Sequence, residues 1–253
     1  MEVAALNAWI AGNVTLLMLA FARIGTALIM MPGLGDMKIP ARVKIAFGVL
    51  LTLIAFQALP MPEAPDRLGV LAALIIIEII IGAYIGLAGR VFFTVFHLIG
   101  AQIGFASGLS NAMAPPDANF DGANTVAAMM HVAGLALMFL TDTHHIMIGG
   151  IMKSYEIIPP GRLVLDDLVE QFARITAASF HIAAAIGAPF IIFAVLVNLA
   201  LGLANRVMPA MQVFFVAGPG LIFLGLGLLA LLIPAILSGV LVEMANWYLD
   251  LVR

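Results

Sequence analysis

The sequence predicts an all-α membrane protein that crosses the bilayer several times. Of its 253 residues, 64% are hydrophobic and 10% are charged, and the mean hydropathy is +1.16. Soluble domains carry about one quarter of charged residues, so the soluble globular class is excluded. Several apolar stretches approach or exceed the roughly 20 residues that a membrane-spanning helix needs. No second, water-soluble domain is evident, so residues 1–253 are expected to form a single membrane domain.

Charge and cysteine content exclude several kinds of partner and site. The formal net charge is −3, and no basic run occurs, so no nucleic-acid partner is expected. The chain has no cysteine, which excludes a disulfide framework, a thiolate metal site and a cysteine nucleophile.

The first two helices are predicted on either side of a basic turn. Val3–Ala22 is uncharged and long enough to span a bilayer. Arg23 continues the same helical pattern, so its side chain is expected to face protein or to reach an interface. Pro32–Gly35 ends this helix, and the most basic connection of the chain, residues 36–44, follows. The positive-inside rule places that connection in the cytoplasm and the N-terminus outside; Ile45–Leu59 then forms a shorter helix.

The remaining chain predicts six further apolar segments. Their expected bounds are Leu68–Gly89, Val91–Met113, Ala123–Leu140, Ile146–Ile158, Ile175–Asn205 and Val213–Val242. Arg90 is expected to mark a cytoplasmic turn between the first two. Arg162–Arg174 has the pattern of an amphipathic helix that lies at a membrane interface. Prolines interrupt the last two segments, which predicts kinked helical hairpins rather than straight rods.

A stripe of glycines runs through His97–Phe120. Gly100, Gly104 and Gly108 recur every fourth residue, so on a helix they form a face that another backbone can approach closely. Pro115-Pro116 then ends any helix, because proline cannot donate a backbone N–H. The residues alone fit an ordinary transmembrane helix with its exit loop. They also fit an irregular loop that protein buries or water reaches.

Glu78 begins a second stripe, with Gly82 and Gly86 at four-residue spacing. A carboxylate inside an apolar segment is costly, so its side chain should face protein or water. One interpretation is an ion or proton site, and the other is a hydrogen-bonded contact between helices or subunits. No matching acidic residue occurs in the neighbouring apolar segments, which favours the structural interpretation.

Asp142, His144 and His145 form the pattern nearest to a metal site. Adjacent histidines on a helix point about 100° apart, and the i, i+4 spacing of helical zinc motifs is missing. We therefore expect an interfacial polar cluster and no metal site. The sequence also lacks a phosphate-binding loop, a G-x-S-x-G elbow and a close Ser/His/Asp signature, so neither a cofactor nor enzymatic activity is predicted.

Six stretches together resemble the FliR family of flagellar and type III secretion export-gate membrane proteins. The most characteristic is LGLANRVMPAMQVFFVAGPG, and the resemblance covers nearly the whole chain in order. The matching stretches are Arg23–Gly35, Ile39–Lys44, Glu78–Gly86, Gly100–Phe105, His144–Tyr155 and Leu201–Gly220. One departure concerns the last stretch, because many relatives place glutamine directly after the proline. Here Ala210 follows Pro209, and Gln212 comes later.

The resemblance implies a non-enzymatic subunit of a helical, multi-subunit gate for unfolded flagellar proteins in the bacterial inner membrane. Its partners would be FliP-like and FliQ-like subunits, an FlhB-like switch protein, membrane lipid and the export substrates. Residues 1–174 would form a FliP-like part, and residues 175–253 a FliQ-like helical hairpin. Energy would come from an associated ATPase and the proton motive force.

Three sets of residues have expected roles: the resemblance implies the plug and the cytoplasmic contact, whereas glycine spacing and the carboxylate in an apolar segment predict the helix packing. The plug or gate of the export channel would comprise Phe105, Leu109, Asn111, Met113, Pro115 and Pro116. Close helix packing would involve Glu78, Gly82, Gly86, Gly100, Gly104 and Gly108. Contact with the cytoplasmic partner would involve Arg206, Pro209 and Gln212.

Three other functions stay open at the level of sequence. A virulence-type secretion gate would use the same architecture. An ion-coupled secondary transporter would use Glu78, and Asp142 could assist it. An intramembrane hydrolase is a third alternative, but no catalytic residues can be named for it.

Overall fold

The structure, a computed structural model, confirms the all-α prediction. It describes residues 2–35, 39–60, 62, 64–65, 67–108, 122–162, 165–208 and 213–252, and these contain α-helices, one 3₁₀ turn and no strand. The helices are α1 (Glu2–Met30), α2 (Ala41–Ala55), α3 (Leu68–Ala106), α4 (Gly122–Leu140), α5 (Thr143–Ile157), α6 (Leu165–Val207) and α7 (Val213–Val252). The 3₁₀ turn, Phe56–Ala58, extends α2.

Five of the described helices are long and apolar enough to cross a membrane, which confirms the polytopic class. They are α1, α2 with its 3₁₀ extension, α3, α6 and α7. The number becomes six if α4 and α5, which are separated by a sharp bend, together form one span. At 15 residues, α5 is shorter than the roughly 20 residues that a single span needs.

The turn predicted at Arg90 is wrong, because α3 continues through it without a break. The helix has 39 residues, from Leu68 to Ala106, instead of two helices that reverse direction. A single arginine does not stop a helix, since it removes no backbone N–H and has a high helix propensity. The Arg90 side chain instead donates a hydrogen bond to the Gly35 carbonyl at 3.4 Å.

The separate amphipathic segment predicted before the last hairpin is also wrong in its bounds. Helix α6 begins at Leu165 and continues for 43 residues, so that segment is its first part. Asp166 and Asp167 lie in its first turn, where acidic side chains favour the positive end of the helix dipole. Pro189 lies inside the helix and does not end it.

The described chain divides into two compact units. Unit 1 comprises Met1–Val91, Asp142–Ile175 and Met244–Arg253, and unit 2 comprises Phe92–Thr141 and Thr176–Glu243. Both parts of the predicted division at residue 174 therefore contribute to each unit. The division into a FliP-like part and a FliQ-like part describes similarity to those two proteins, not compact units of the fold. It stays a prediction.

Each unit has its own buried apolar residues. In unit 1 they come from α1, the first part of α3, α5 and the end of α7, and examples are Ile24, Ile81, Met147 and Tyr248. In unit 2 they come from the second part of α3, α4, α6 and α7, and examples are Phe96, Met130, Phe190 and Ile236.

Candidate functional site: a buried ion pair and a glycine-packed helix end

The carboxylate of Glu78 lies against the guanidinium of Arg23 in the interior of unit 1. The two side chains are 1% and 0% exposed. Arg23 Nε donates to Glu78 Oε2 at 2.6 Å, and Nη2 donates to Oε1 at 3.2 Å. The two N–H···O bonds form the bidentate geometry that is typical of a guanidinium–carboxylate pair. Helix α1 is thereby joined to helix α3 by a charged contact.

The third nitrogen of Arg23 is also bonded. Nη1 donates to the carbonyl oxygens of Ser154 and Ile158 at 3.1 and 3.0 Å, and to Ser154 Oγ at 3.3 Å. The guanidinium carbon lies 4.1 Å from the ring centroid of Tyr155, a cation–π distance. Arg23 therefore binds two carbonyls at the C-terminal end of α5: that of Ile158, and that of Ser154, which also accepts from Ile158 N–H at 2.9 Å.

A glycine turn completes the environment of Glu78. Gly161 adopts a left-handed backbone conformation, with φ of 80°, and its N–H donates to Glu78 Oε1 at 3.1 Å. Both carboxylate oxygens consequently accept hydrogen bonds within the protein. Tyr155 donates its hydroxyl to the Ala20 carbonyl at 3.0 Å, one turn before Arg23 on α1. The cluster thus joins α1, α3, α5 and the turn that follows α5.

Gly82 and Gly86 lie directly above Glu78 on the same face of α3, against α1. A Cβ atom at Gly82 would overlap the carbonyl oxygen of Arg23. A Cβ at Gly86 would lie 2.5 Å from the Ala27 carbonyl oxygen and 2.6 Å from Met30 Cβ. Such distances are shorter than real Cβ contacts, so the two backbones meet here without room for a side chain.

Sequence reasoning treated Arg23 and Glu78 separately and missed their pairing. The available signal was that each charge lies within a long apolar stretch of its helix, and such charges in membrane segments tend to pair. Only an acidic partner for Glu78 was sought, whereas the matching residue is basic. Ser154 contributes its backbone carbonyl, Tyr155 its aromatic ring and Gly161 its backbone N–H. No sequence pattern predicts contacts of these kinds.

The second region is the C-terminal part of α3 in unit 2. A Cβ at Gly100 would lie 2.8 Å from the Ala127 backbone nitrogen and 3.1 Å from its side chain, so α3 and α4 are in backbone contact there. Gly104, one turn later, is buried. One turn earlier, the ring of Phe96 lies against Gly134 of α4, where an added Cβ would lie 2.5 Å from Cε2.

Two further helices contact the end of α3 through glycines whose partners sequence reasoning did not identify. Gly187 of α6 leaves room for the amide of Gln102, and a Cβ there would overlap Gln102 Oε1. Gly225 of α7 leaves room for Ser107, and a Cβ there would overlap the Ser107 side chain. Both glycines lie among many others in long apolar helices, so spacing alone does not identify them.

Gly108 does not belong to the packing stripe. Helix α3 ends at Ala106, and Gly108 has a φ of 69°, with no atom of the described residues within 4 Å of the place that a Cβ would occupy. Its N–H donates to the Phe105 carbonyl at 3.2 Å, and Ser107 N–H donates to Ile103 at 2.9 Å. Gly108 is thus a helix-terminating residue in the left-handed region, where glycine carries no steric penalty.

Only one of the six predicted plug residues lies in the part of the chain that the structure describes. Phe105 occupies the last turn of α3, and its side chain is 74% exposed. The other five, Leu109, Asn111, Met113, Pro115 and Pro116, lie outside the described residues.

Among the predicted cytoplasmic contact residues, Arg206 is described. It lies in the last turn of α6, where a basic side chain favours the negative end of the helix dipole, and it is exposed. Pro209 and Gln212 lie outside the described residues.

Asp142, His144 and His145 lie closer together than predicted from an ideal helix. Asp142 Oδ1 is 3.3 Å from His145 Nδ1, and the two imidazole centroids are 4.1 Å apart. Asp142 precedes the first residue of α5 and has a φ of 56°, so it does not follow helical geometry. The three side chains each offer one ligand atom, and these atoms lie within 4.8 Å of one another.

Comparison with known proteins gives matches along nearly the whole chain. Residues 14–247 match the family described as "Bacterial export proteins, family 1". Flagellar biosynthetic protein FliR of Caulobacter vibrioides is 38% identical over 236 residues, which cover 92% of each chain. FliR of Escherichia coli is 29% identical over 87% of this chain and 83% of the relative. Secretion system apparatus protein SsaT of Salmonella typhimurium is 32% identical over 119 residues, or 46% of this chain and 45% of the relative.

Proposed function

This chain belongs to bacterial export protein family 1, and from that premise we propose that it is a FliR-type subunit of the flagellar type III export gate. The observation that carries the proposal is the match to flagellar FliR proteins over almost the full length, with 92% of both chains covered in one case. An all-α protein with several membrane-spanning helices fits such a role. The resemblance found in the sequence motifs is confirmed by this match.

The proposed gate contains neighbouring FliP-like and FliQ-like subunits, together with an FlhB-like switch protein on the cytoplasmic side of the inner membrane. Support comes from the surfaces of α6 and α7, because only 17% of the apolar span in each helix is buried within the chain. Side chains such as Val195 and Phe223 are 61% and 82% exposed. Lipid or apolar neighbouring subunits must cover surfaces of this kind.

Within that gate, the proposed moving part is the loop that follows α3. The helix end is in close contact with α4 through Gly100 and with α7 through Gly225, so it connects the loop to the packed helices of unit 2. Phe105 adds an exposed apolar ring at that helix end. We assign to the loop the closure of the channel against water and ions, and its displacement by an unfolded substrate. The sequence contains no phosphate-binding loop motif, and we assign the energy supply for transport to other components.

A virulence-type gate is the second candidate, and the match to SsaT favours it. That match covers less than half of this chain, whereas the flagellar relatives cover most of it, so flagellar use is preferred. A transporter that couples ions through Glu78 is less compatible with the structure. Both oxygens of that carboxylate already accept hydrogen bonds from Arg23 and Gly161.

Gene deletion with complementation tests the proposed function. Cells without this protein should assemble no flagellar filament and should release no filament protein, and the intact gene should restore both. The purified protein should be recovered with FliP-like and FliQ-like partners. Normal filament export in the deletion strain, or a stable functional monomer, would contradict the proposal.

A deletion of residues 107–116 tests the loop assignment. Gates that carry the deletion should assemble and should conduct ions when closed, because the loop no longer fills the channel. Conductance across planar bilayers measures this leak. Gly69→Ala is the matched control, since no atom lies within 4 Å of its added methyl group. An assembled deletion gate that conducts no more than this control would refute the plug.

A further inference from the structure

The start of α5 carries three metal-ligating side chains that the export function does not use. Asp142 and His145 are 76% and 69% exposed on their side chains, and His144 is partly buried. All three lie in unit 1, so their mutual geometry belongs to one compact unit. We propose that Asp142, His144 and His145 bind one Zn²⁺ ion.

The backbone of Asp142 departs from the regular helix on which the sequence argument relied. Two histidines and an aspartate on one regular helix would diverge around its axis. Asp142 instead stands just outside α5 in the left-handed conformation, with φ of 56°. Among the residues that the structure describes, it is the one non-glycine residue with a positive φ. This conformation allows its carboxylate to approach His145 at 3.3 Å.

The carboxylate of Asp142 also does not perform the usual task of an aspartate at a helix start. An N-cap aspartate normally accepts a hydrogen bond from a backbone N–H in the first turn. Asp142 makes no such side-chain bond, although its own carbonyl accepts from His145 N–H at 2.9 Å. Its carboxylate is directed toward the imidazole, where a metal ion would need it.

The donor set and its spacing suit zinc. Imidazole nitrogen and carboxylate oxygen bind Zn²⁺ at about 2.0–2.2 Å, which places tetrahedral donors roughly 3.4 Å apart. The present donors lie within 4.8 Å of one another, and rotation of the exposed Asp142 and His145 side chains would bring them closer to the third donor. Water would supply the fourth ligand. Mg²⁺ and Ca²⁺ prefer sites with more oxygen ligands, and two of these three ligands are nitrogen.

Bound zinc would connect the residue that precedes α5 to its first turn. Because the ligands must be deprotonated, protons compete with the metal, and binding should weaken on acidification. The ion would then fix the conformation of a segment that contains one left-handed aspartate, one exposed imidazole and one partly buried imidazole.

Equilibrium dialysis against Zn²⁺ tests the proposal on the detergent-purified full chain with a histidine-free tag. The protein should bind one equivalent, and His145→Ala should weaken binding by at least about tenfold. Asp142→Asn should do the same, and asparagine tolerates the left-handed backbone, so the fold is retained. His181→Ala removes an exposed histidine outside the cluster and should leave the affinity unchanged.

A second probe distinguishes loss of the metal site from misfolding of a variant. Co²⁺ in place of Zn²⁺ should give the visible absorption of a tetrahedral ion with the intact protein and with His181→Ala, but not with Asp142→Asn. Mg²⁺ in excess should not displace it. The proposal is overturned if the intact chain binds less than one equivalent of Zn²⁺, or if Asp142→Asn and His145→Ala bind as tightly as the intact chain.

Discussion

The Arg23–Glu78 cluster and the C-terminal end of α3 are both buried, but they are held in different ways. In the first region, every nitrogen of the guanidinium and both oxygens of the carboxylate have hydrogen-bond partners. In the second, helices meet through glycines, and the buried Oε1 of Gln102 has no hydrogen-bond partner among the described residues. The directional hydrogen bonds of an ion pair specify one arrangement of the helices. Van der Waals contacts at glycines are not directional, so the helices can shift slightly against each other.

This difference fits the roles proposed for the two regions, namely structural support for the ion-pair cluster and attachment of a moving loop for the end of α3. A region that only supports the structure can use a fully bonded ion pair, since breaking it is costly. A helix end beside a moving loop needs close contact without a large barrier to small shifts. The buried Oγ of Ser179 on α6, also in unit 2, likewise lacks a partner among the described residues. The contrast therefore predicts different responses to mutation in the two regions.

Glu78→Gln should have the largest effect on stability. The amide removes the negative charge and leaves the Arg23 guanidinium buried without compensation, which costs about 3–5 kcal/mol. Thermal unfolding of the detergent-purified protein measures the loss.

Two controls sharpen this test. Glu156→Gln breaks a surface pair with Lys153 whose side chains are 61% and 36% exposed, and it should cost less than about 1 kcal/mol. Arg23→Met combined with Glu78→Leu removes both charges and should regain much of the lost stability. If Glu78→Gln unfolds at the same temperature as the intact protein, the ion pair is not a structural requirement.

Gly100→Val should have an intermediate effect. Its side chain would meet the Ala127 backbone, and forcing the two helices apart costs about 1–3 kcal/mol. Gly202→Ala is the matched control in unit 2, because no atom lies within 4 Å of the added methyl group. It should be neutral or stabilising by up to about 1 kcal/mol, as expected for alanine in a helix. Equal stability of Gly100→Val and the intact protein would show that α3 and α4 are not in close contact.

Gln102→Leu should have the smallest effect. Leucine has a similar size and removes a buried amide oxygen that lacks a partner, so stability should stay within about 1 kcal/mol or rise. Unfolding temperature measures stability, and filament export measures function. A loss comparable to that of Glu78→Gln would mean that Gln102 is fully bonded, and the contrast between the two regions would disappear.

Composition and apolar periodicity were sufficient to predict the all-α class and most helix positions. They failed at Arg90, because a hydropathy pattern treats a charge as a boundary, whereas a long helix can carry a charge that finds a partner elsewhere. The i, i+4 spacing of Gly82 and Gly86 predicts one helix face, because spacing is a local property, and in the structure both glycines lie against α1. Four-residue spacing also grouped Gly108 with Gly100 and Gly104. Helix α3 ends before Gly108, and the left-handed backbone that ends it cannot be predicted from residue spacing.

Partners across the fold were the least predictable part of the candidate site. Arg23 and Glu78 are 55 residues apart, and Gly161 is 83 residues from Glu78. Such contacts depend on how helices pack, which the order of residues along one helix does not encode. The close approach of Asp142 to His145 was missed for a local reason, since it depends on one backbone angle.

The length of α3 has a consequence for how the protein is made. Its 39 residues extend for about 58 Å along the helix axis, nearly twice the roughly 30 Å hydrocarbon thickness of a bilayer. A newly synthesised copy therefore cannot shield the whole apolar rod with lipid. Until other subunits arrive, part of it is a target for chaperones and membrane proteases. We expect cells to keep the free protein scarce, and its lifetime should rise when its assembly partners are produced alongside it.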